Sequence, residues 1–245
     1  MCNCVSFVFS MSISNNIAVI QDRIAVAARR TGRNADEIAL MAVSKTHPAE
    51  TIREAYRAGI RLFGENRVQE FAGKVSSLAD LAALNFHMIG HLQTNKAAKA
   101  VELFAAVDSV DSVRLAEKLN SAAQAQGKKL AVLIEINIGG EQAKTGVAPE
   151  SREMEDLLQS AQRFDALTFR GLMTVPPFTE DAEAARTYFR KLREIRDGLR
   201  KRKVPALTLD VLSMGMSHDF EIAIEEGSSC VRLGTALFGE RQKAL

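Results

Sequence analysis

Short apolar runs alternate with longer amphipathic segments along almost the whole chain. A short apolar run is typical of a buried strand, whereas apolar residues spaced three or four positions apart indicate a helix. The predicted strands lie at 38–44, 61–64, 85–90, 103–107, 130–137, 168–174, 208–214 and 229–233. The predicted helices lie at 15–31, 49–58, 67–78, 95–101, 112–126, 149–163, 181–201 and 217–226, with a short last helix near Thr235.

Each predicted strand is followed by a helix, an alternation that indicates a parallel sheet with helices outside it. Eight such repeats in 245 residues predict a single α/β domain, a (β/α)8 TIM barrel with an extra N-terminal helix at 15–31. The competing fold is an open doubly wound sheet, which would be expected to carry G-x-G-x-x-G after its first strand. That motif does not follow 38–44, and no linker interrupts 12–245.

Composition narrows the class of protein. Hydrophobic residues make up 47% and charged residues 25%, as in an ordinary globular domain. The net charge is +2, and the densest basic stretch, 190–203, also holds acidic residues. That stretch is predicted to be a solvated helix face rather than a nucleic-acid site. No apolar run reaches the roughly 20 residues that span a bilayer, so no membrane partner is expected.

The cysteines and the N-terminal residues indicate the compartment in which the protein is expected. Cys2 and Cys4 form a C-x-C without a second cluster, which is a poor metal site, and the odd total with Cys230 favours a reducing, cytoplasmic compartment. Residues 1–11 are apolar but lack a basic segment and a convincing cleavage site. They are predicted to be a disordered extension or a mis-set start, with Met11 opening the true chain.

Lys45 ends the first predicted strand, in the segment IALMAVSKTHP. Functional residues of a TIM barrel gather at the C-terminal ends of its strands. A lysine there can be partly desolvated, which lowers its pKa and leaves a neutral nucleophile for a carbonyl, the first requirement of a Schiff base. The alternative is a lysine that has simply reached solvent at a strand end.

The loops after the seventh and eighth strands suggest a phosphate site. Gly215 and Gly234 would let backbone N–H groups approach an oxyanion, and Ser217 and Thr235 offer hydroxyl donors. The two hydroxyl residues also fit as N-caps of the helices that follow. A glycine with a following hydroxyl in both loops favours the phosphate interpretation.

Arg232 lies near the end of a buried strand and needs a partner there, because an unpaired buried guanidinium is very costly. It could pair with Asp210 or Glu135, or it could donate to a ring nitrogen of a cofactor and keep that nitrogen neutral. Asn66 could bind a ligand or cap the following helix. His91 is expected to be a loop histidine with local partners, and no metal site is predicted.

Several long segments, in order along the chain, resemble one family. The segments are AVSKTHP (42–48), FGENRVQE (63–70), FHMIGHLQTNK (86–96), GLMTV (171–175), LSMGMSHDFEIAI (212–224) and VRLGTALFG (231–239). They are similar to those of the pyridoxal phosphate homeostasis proteins, which bind pyridoxal 5′-phosphate (PLP) and are related to the N-terminal barrel of alanine racemase. The resemblance covers nearly the whole chain from about Asn15.

The resemblance implies a role for each matching residue. Lys45 would carry PLP as an internal aldimine, a Schiff base. Arg232 would face the pyridine nitrogen, and Asn66 would stand near the ring or its phenolic oxygen. The phosphate cradle would be formed by Ser213, Met214, Gly215 and Ser217 on one side and by Gly234 and Thr235 on the other.

The resemblance also implies a binding protein with little or no turnover. Racemisation needs two bases on opposite faces of the cofactor adduct, and the only tyrosines, Tyr56 and Tyr188, fall in predicted outer helices. An arginine on the ring nitrogen weakens the electron sink that PLP enzymes exploit. The expected role is PLP (vitamin B6) homeostasis and amino-acid balance, by a monomer with PLP-dependent apo-enzymes as recipients.

Two alternatives remain open at this point. One is a small PLP-dependent amino-acid racemase or lyase. The other is a barrel that binds a different phosphorylated ligand without a covalent bond.

Overall fold

The computed structural model describes residues 12–141 and 144–239. Within them, eight parallel strands form one closed barrel in sequential order. The strands are β1 (Ala39–Val43), β2 (Leu62–Glu65), β3 (Asn85–Met88), β4 (Ala106–Val110), β5 (Leu130–Glu135), β6 (Leu167–Met173), β7 (Leu207–Ser213) and β8 (Cys230–Leu233). The barrel closes because β1 pairs with β8 as well as β2, and Ala42 lies opposite both Phe63 and Leu233. The predicted (β/α)8 barrel is confirmed, and the expectation for residues 1–11 falls outside the described residues.

The described residues also form nine α-helices. They are α1 (Ile13–Arg30), α2 (Ala49–Arg57), α3 (Val68–Ala72), α4 (Ala97–Leu103), α5 (Val113–Ala125), α6 (Arg152–Ser160), α7 (Arg186–Arg202), α8 (Phe220–Glu225) and α9 (Thr235–Phe238). Short 3-10 helices occupy Ala35–Glu37, Val75–Leu78, Thr94–Lys96, Ala161–Arg163 and Ala182–Ala185. No helix in this part of the chain combines the length and the hydropathy that crossing a bilayer requires.

The extra N-terminal helix is α1, and its sequence explains its position. Ile17, Ile20 and Ile24 recur at helical spacing and are all buried. Ser12 caps the helix by accepting a hydrogen bond from the N–H of Asn15. The apolar face of α1 packs against α8 and α9, which brings the start of the described chain onto the last helices of the barrel.

Aromatic side chains join the strands to the surrounding helices. Phe63 of β2 stacks on Phe86 of β3, with ring centroids 5.3 Å apart. Phe71 of α3 contacts Phe86 at 4.3 Å and Phe104 at 5.0 Å. Burying each large apolar side chain stabilises the fold by about 1.5–3 kcal/mol, so this cluster fixes α3 against β2 and β3.

The predicted position of the fourth strand, 103–107, is wrong. Leu103 is the last residue of α4, and β4 runs instead from Ala106 to Val110. The apolar run LFAAV does not distinguish the end of a helix from the start of a strand. The true strand continues through Asp108 and Ser109, both buried, and polar residues inside a barrel break the apolar pattern.

Several predicted helices are shorter than expected, including those after β2 and β7. The helix predicted at 67–78 divides into α3 and the 3-10 helix Val75–Leu78, with Gly73 between them. The helix predicted at 217–226 begins only at Phe220, because residues 214–219 form the loop that follows β7. The loop at 214–219 lies at the C-terminal end of β7 and contributes to the mouth.

Candidate functional site

A cavity of about 600 Å³ opens at the C-terminal ends of the strands. It is lined by residues from the segments after β1, β2, β3, β5, β6, β7 and β8, and by three strand residues, Val43, Glu135 and Arg232. Six of the predicted site residues contribute to its wall: Lys45, Asn66, Ser217, Arg232, Gly234 and Thr235. The fold thus brings together residues that are almost two hundred positions apart in the chain.

Lys45 lies in the turn that follows β1, and its half-buried side chain lines the cavity. The preceding Ser44 is fully buried, and its N–H donates to the carbonyl of Gly64, which extends the β1–β2 pairing by one residue. Thr46 adopts a left-handed backbone conformation with φ 67°. This sharp turn after a buried residue places Lys45 at the wall of the mouth.

Arg232 is buried in β8, with 4% of its surface exposed, and lines the floor of the cavity. Its guanidinium donates to Ser213 Oγ and to the carbonyl oxygen of Thr174, both at 2.7 Å. The proposed ion pair with Asp210 does not form, because Asp210 pairs with Arg170 on the outside of the barrel. Burial lowers the pKa of Arg232, and nearby acidic groups, including Glu135, oppose that shift.

Ser217, Gly234 and Thr235 lie together on one wall. The Ser217 hydroxyl accepts a hydrogen bond of 3.2 Å from the N–H of Ala236, which joins the loop after β7 to the first turn of α9. Neither hydroxyl residue is an N-cap: Asp219 occupies that position in α8 and Gly234 in α9. The capping alternative is therefore wrong, and both hydroxyl groups lie beside the cavity.

Three predicted site residues lie beneath the cavity wall instead. Ser213 and Met214 are completely buried, and Ser213 Oγ is occupied by Arg232. Gly215 has φ 95°, and its carbonyl accepts from the Arg232 N–H at 2.9 Å. These residues support the wall formed by Ser217, and their direct contact with a cofactor stays a prediction.

Asn66 is half-buried and lines the cavity. The capping alternative is wrong here too, because α3 begins at Val68 with Arg67 as its N-cap. A Cβ atom on Gly90 would lie only 2.5 Å from the carbonyl oxygen of Asn66. The loops after β2 and β3 therefore approach each other as closely as a glycine allows.

Glu135, at the end of β5, is a cavity residue that the sequence analysis named only as a partner for Arg232. Its Oε1 accepts from Thr145 Oγ1 at 2.8 Å, and its buried Oε2 has no hydrogen-bond partner among the residues that the structure describes. Burial raises the pKa of Glu135. An acidic residue at the C-terminal end of a predicted strand was the signal available in the sequence.

The histidines near the mouth have local partners. His91 Nδ1 lies 3.4 Å from Asp111 Oδ2, as expected for a loop histidine. His87 lies lower in the barrel, with Nδ1 3.1 Å from Asp108 Oδ1. Within the described ranges, no group of three or more potential ligands is arranged to hold a metal ion.

Comparison with known proteins adds evidence independent of this geometry. The family model of the alanine racemase N-terminal domain matches residues 16–242. A pyridoxal phosphate homeostasis protein from Aquifex aeolicus is 44% identical over 232 residues, covering 95% of this chain and all of that one. The protein of the same name from Pseudomonas aeruginosa is 44% identical over 230 residues, covering 94% and 96%.

Solved structures agree with the sequence relatives. PipY from Synechococcus elongatus with PLP bound superposes with a TM-score of 0.80 at 37% identity, covering 93% of this chain and all of PipY. An alanine racemase from Clostridium difficile superposes with a TM-score of 0.70, covering 94% of this chain and 60% of the racemase. At 15% identity the racemase shows a shared fold alone.

Proposed function

The chain belongs to the pyridoxal phosphate homeostasis protein family, and we propose that it binds PLP in the mouth of its barrel through a Schiff base at Lys45. The observation that carries this proposal is the meeting of Lys45, Arg232, Ser217 and Thr235 around one cavity. A relative of the same fold has been solved with PLP bound. PLP supplies an aldehyde for reversible attachment to an amine and a phosphate for anchoring.

The donors around the cavity match the chemical groups of PLP. Lys45 brings an amine for the aldehyde. In the neighbouring loops after β7 and β8, Ser217, Thr235 and the backbone of Gly234 offer hydroxyl and N–H donors for the phosphate, with the buried Ser213, Met214 and Gly215 supporting them. Asn66 would contact the ring or its phenolic oxygen. A cavity of about 600 Å³ is large enough for a ligand of this size.

Lys45 and Arg232 would act on different groups of PLP, the aldehyde and the pyridine nitrogen. The amine of Lys45 would condense with the aldehyde and release one water molecule, and hydrolysis would reverse the step. Arg232 presents a guanidinium to the floor of the cavity, where it would donate to the pyridine nitrogen and keep that nitrogen unprotonated. A neutral ring accepts carbanion charge poorly, which favours holding the cofactor over transforming a bound amino acid.

The proposed role is to store PLP and to hand it over to PLP-dependent apo-enzymes, and so to keep vitamin B6 and amino-acid pools in balance. The relatives are named as homeostasis proteins. Neither of the two tyrosines of the chain lines the cavity, so neither is placed to act as the second base that racemisation needs. Tyr56 packs instead under the guanidinium of Arg61 at 3.8 Å.

Borohydride reduction tests the covalent bond. The protein is loaded with PLP, reduced and mapped by peptide mass spectrometry, alongside Lys45→Ala and the surface control Lys99→Ala. We expect a pyridoxyl adduct on the peptide that contains Lys45 in the wild type and in the control, and none there in Lys45→Ala. An adduct confined to Lys144, which also lines the cavity, would contradict the assignment.

A second measurement separates a binding protein from a small racemase or lyase. The loaded protein is incubated with amino acids in deuterated water, and exchange at the α-carbon is followed by NMR. We expect exchange no faster than with PLP and a simple amine. Exchange at an enzymatic rate that is lost in Lys45→Ala would establish the enzyme instead.

A further inference from the structure

Three charged side chains lie behind the turn that carries Lys45. Lys74, Glu65 and Glu70, here called the Lys74 cluster, come from the end of β2 and the segment after it. The side chains of Lys74 and Glu65 are 11% and 0% exposed, and that of Glu70 is 27% exposed. Lys74 Nζ lies 2.8 Å from Glu65 Oε1 and 3.0 Å from Glu70 Oε1.

The ammonium group of Lys74 also binds the backbone on both sides of Lys45. It donates to the carbonyl oxygen of Ser44 at 3.2 Å and to that of His47 at 3.1 Å. These residues are the last before Lys45 and the second after it. One buried cation therefore holds the two ends of a four-residue turn at a fixed separation.

The two carboxylates accept hydrogen bonds from two further polar groups of the turn. Glu65 Oε1 accepts from Ser44 Oγ at 2.7 Å, and Glu70 Oε1 accepts from the Thr46 N–H at 2.5 Å. Thr46 is the residue with φ 67°, a conformation that a β-branched residue adopts only under constraint. The hydrogen bond that the Thr46 N–H donates to Glu70 holds that conformation in place.

From these contacts we propose that Lys74, Glu65 and Glu70 are positioning residues for Lys45, which fix the backbone from which its amine reaches the aldehyde of PLP. The inference rests on the proposed function, because it assigns a role relative to the Lys45 bond. None of the three residues lines the cavity, so they act through the turn and not by contact with a ligand.

Stability alone does not account for such a cluster. A buried ion pair contributes little net stability, because the desolvation of the charges offsets their attraction. Burial raises the pKa of Glu65 even though Lys74 and Ser44 bind it, and its Oε2 has no hydrogen-bond partner within the described part of the chain. Apolar side chains of similar volume would stabilise the core equally well. They would, however, leave the polar groups of the turn without hydrogen-bond partners.

The experiment separates binding of PLP from formation of the bond. Lys74→Met removes the ammonium group, and Glu70→Ala removes a more exposed acceptor with less risk to folding. Glu70→Gln keeps an oxygen for the Thr46 N–H, and Lys99→Met removes a surface lysine as the control. For each protein, total bound PLP is measured after release by alkali, and the covalent part is measured as reduced adduct on the Lys45 peptide. The rate at which the Schiff-base absorbance appears after mixing is recorded as well.

In Lys74→Met and Glu70→Ala we expect the rate of bond formation to fall on the order of ten-fold, because misplacing a reacting group by about 1 Å can slow a reaction even further. The covalent fraction should fall with it, whereas total bound PLP should change less than about three-fold, since the other donors of the cavity remain. Glu70→Gln should recover most of the rate, and Lys99→Met should match the wild type.

The outcomes distinguish the two proposals. A wild type without adduct on the Lys45 peptide would overturn the proposed function and the positioning role with it. A wild-type adduct together with unchanged rates and covalent fractions in Lys74→Met and Glu70→Ala would overturn the positioning role alone. Loss of rate that Glu70→Gln does not recover would also count against it, because the hydrogen bond to Thr46 would then not be the cause.

Discussion

Two charged side chains of opposite sign, Arg232 and Glu135, are buried in the barrel and reach the floor of its mouth. Each has a partner that is neutral: Arg232 binds Ser213 and the carbonyl of Thr174, and Glu135 binds Thr145. Buried charges are costly unless they are paired and fully hydrogen-bonded. Glu135, with one carboxylate oxygen unbonded among the described residues, therefore has an unfavourable charged form.

Replacing Glu135 with Gln tests whether the charged form of Glu135 destabilises the fold. Burial raises the pKa of Glu135 above its usual 4.5, so the folded protein keeps the proton to higher pH than the unfolded chain. The stability that this residue contributes is fully present below the usual pKa and is lost as pH rises through the raised one. Because Gln stays neutral and keeps an oxygen for Thr145, we expect Glu135→Gln to be the more stable protein at neutral pH.

Urea unfolding of the protein without PLP, from about pH 4 to about pH 8, measures this difference. The advantage of Glu135→Gln over the wild type should shrink towards zero on acidification. The exposed Glu117→Gln serves as the control and should differ from the wild type by a similar amount throughout. An advantage of Glu135→Gln that does not depend on pH would contradict the raised pKa.

At the scale of elements, the junction between β7 and α8 decides the shape of one wall of the mouth. Gly215 has φ 95°, and a Cβ atom there would lie 2.6 Å from Ala223 Cβ and 3.0 Å from Phe220 Cα, both on α8. The chain leaves β7 so close to the following helix that only a glycine fits. This close approach sets the position of Ser217 at the cavity.

A matched pair of glycine substitutions tests that constraint. Gly215→Ala should lower the free energy of unfolding by about 1–3 kcal/mol, because it adds both a clash and a strained φ. Gly198→Ala, inside α7 with no atom within 4 Å of its added Cβ, should raise it by about 0.5–1 kcal/mol, since alanine favours the helix. Thermal and urea unfolding of the two variants measure both effects, and a change of the same sign in both would refute the argument.

At the scale of the whole molecule, barrel closure creates the site, and few large apolar side chains of the described residues are exposed. The large apolar side chains exposed in the described residues are Val19 and Val26 on α1, and Val175 and Phe178 in the loop after β6. Stable association usually needs a larger contiguous apolar area. The monomer expected from the sequence stays a prediction.

Light scattering coupled to size exclusion tests the oligomeric state. We expect the mass of a single chain, 26.8 kDa, at every concentration, with and without PLP, and one PLP bound per chain. A mass that doubles with concentration, or half a PLP per chain, would contradict the monomer. A dimer reduced to a monomer by Phe178→Ser would locate the interface at the mouth.

The order of strands and helices could be predicted because hydrophobic periodicity is a local property. The extra helix α1 follows from the spacing of Ile17, Ile20 and Ile24, and the barrel follows from eight β–α repeats. β4 was misplaced because its pattern is interrupted by Asp108 and Ser109, whose burial depends on residues distant in sequence. A local pattern does not report such burial.

The sequence by itself determined the fold and the candidate nucleophile, since β–α alternation specifies a barrel and strand ends specify its mouth. Only the tertiary structure decided which candidates reach the cavity: Ser217 and Thr235 line it, whereas Ser213 and Met214 lie beneath it. It alone also showed Lys74 bound to both sides of the Lys45 turn. The physical reason is that burial and hydrogen bonding are set by side chains from several elements at once, so they exist only when the barrel has closed.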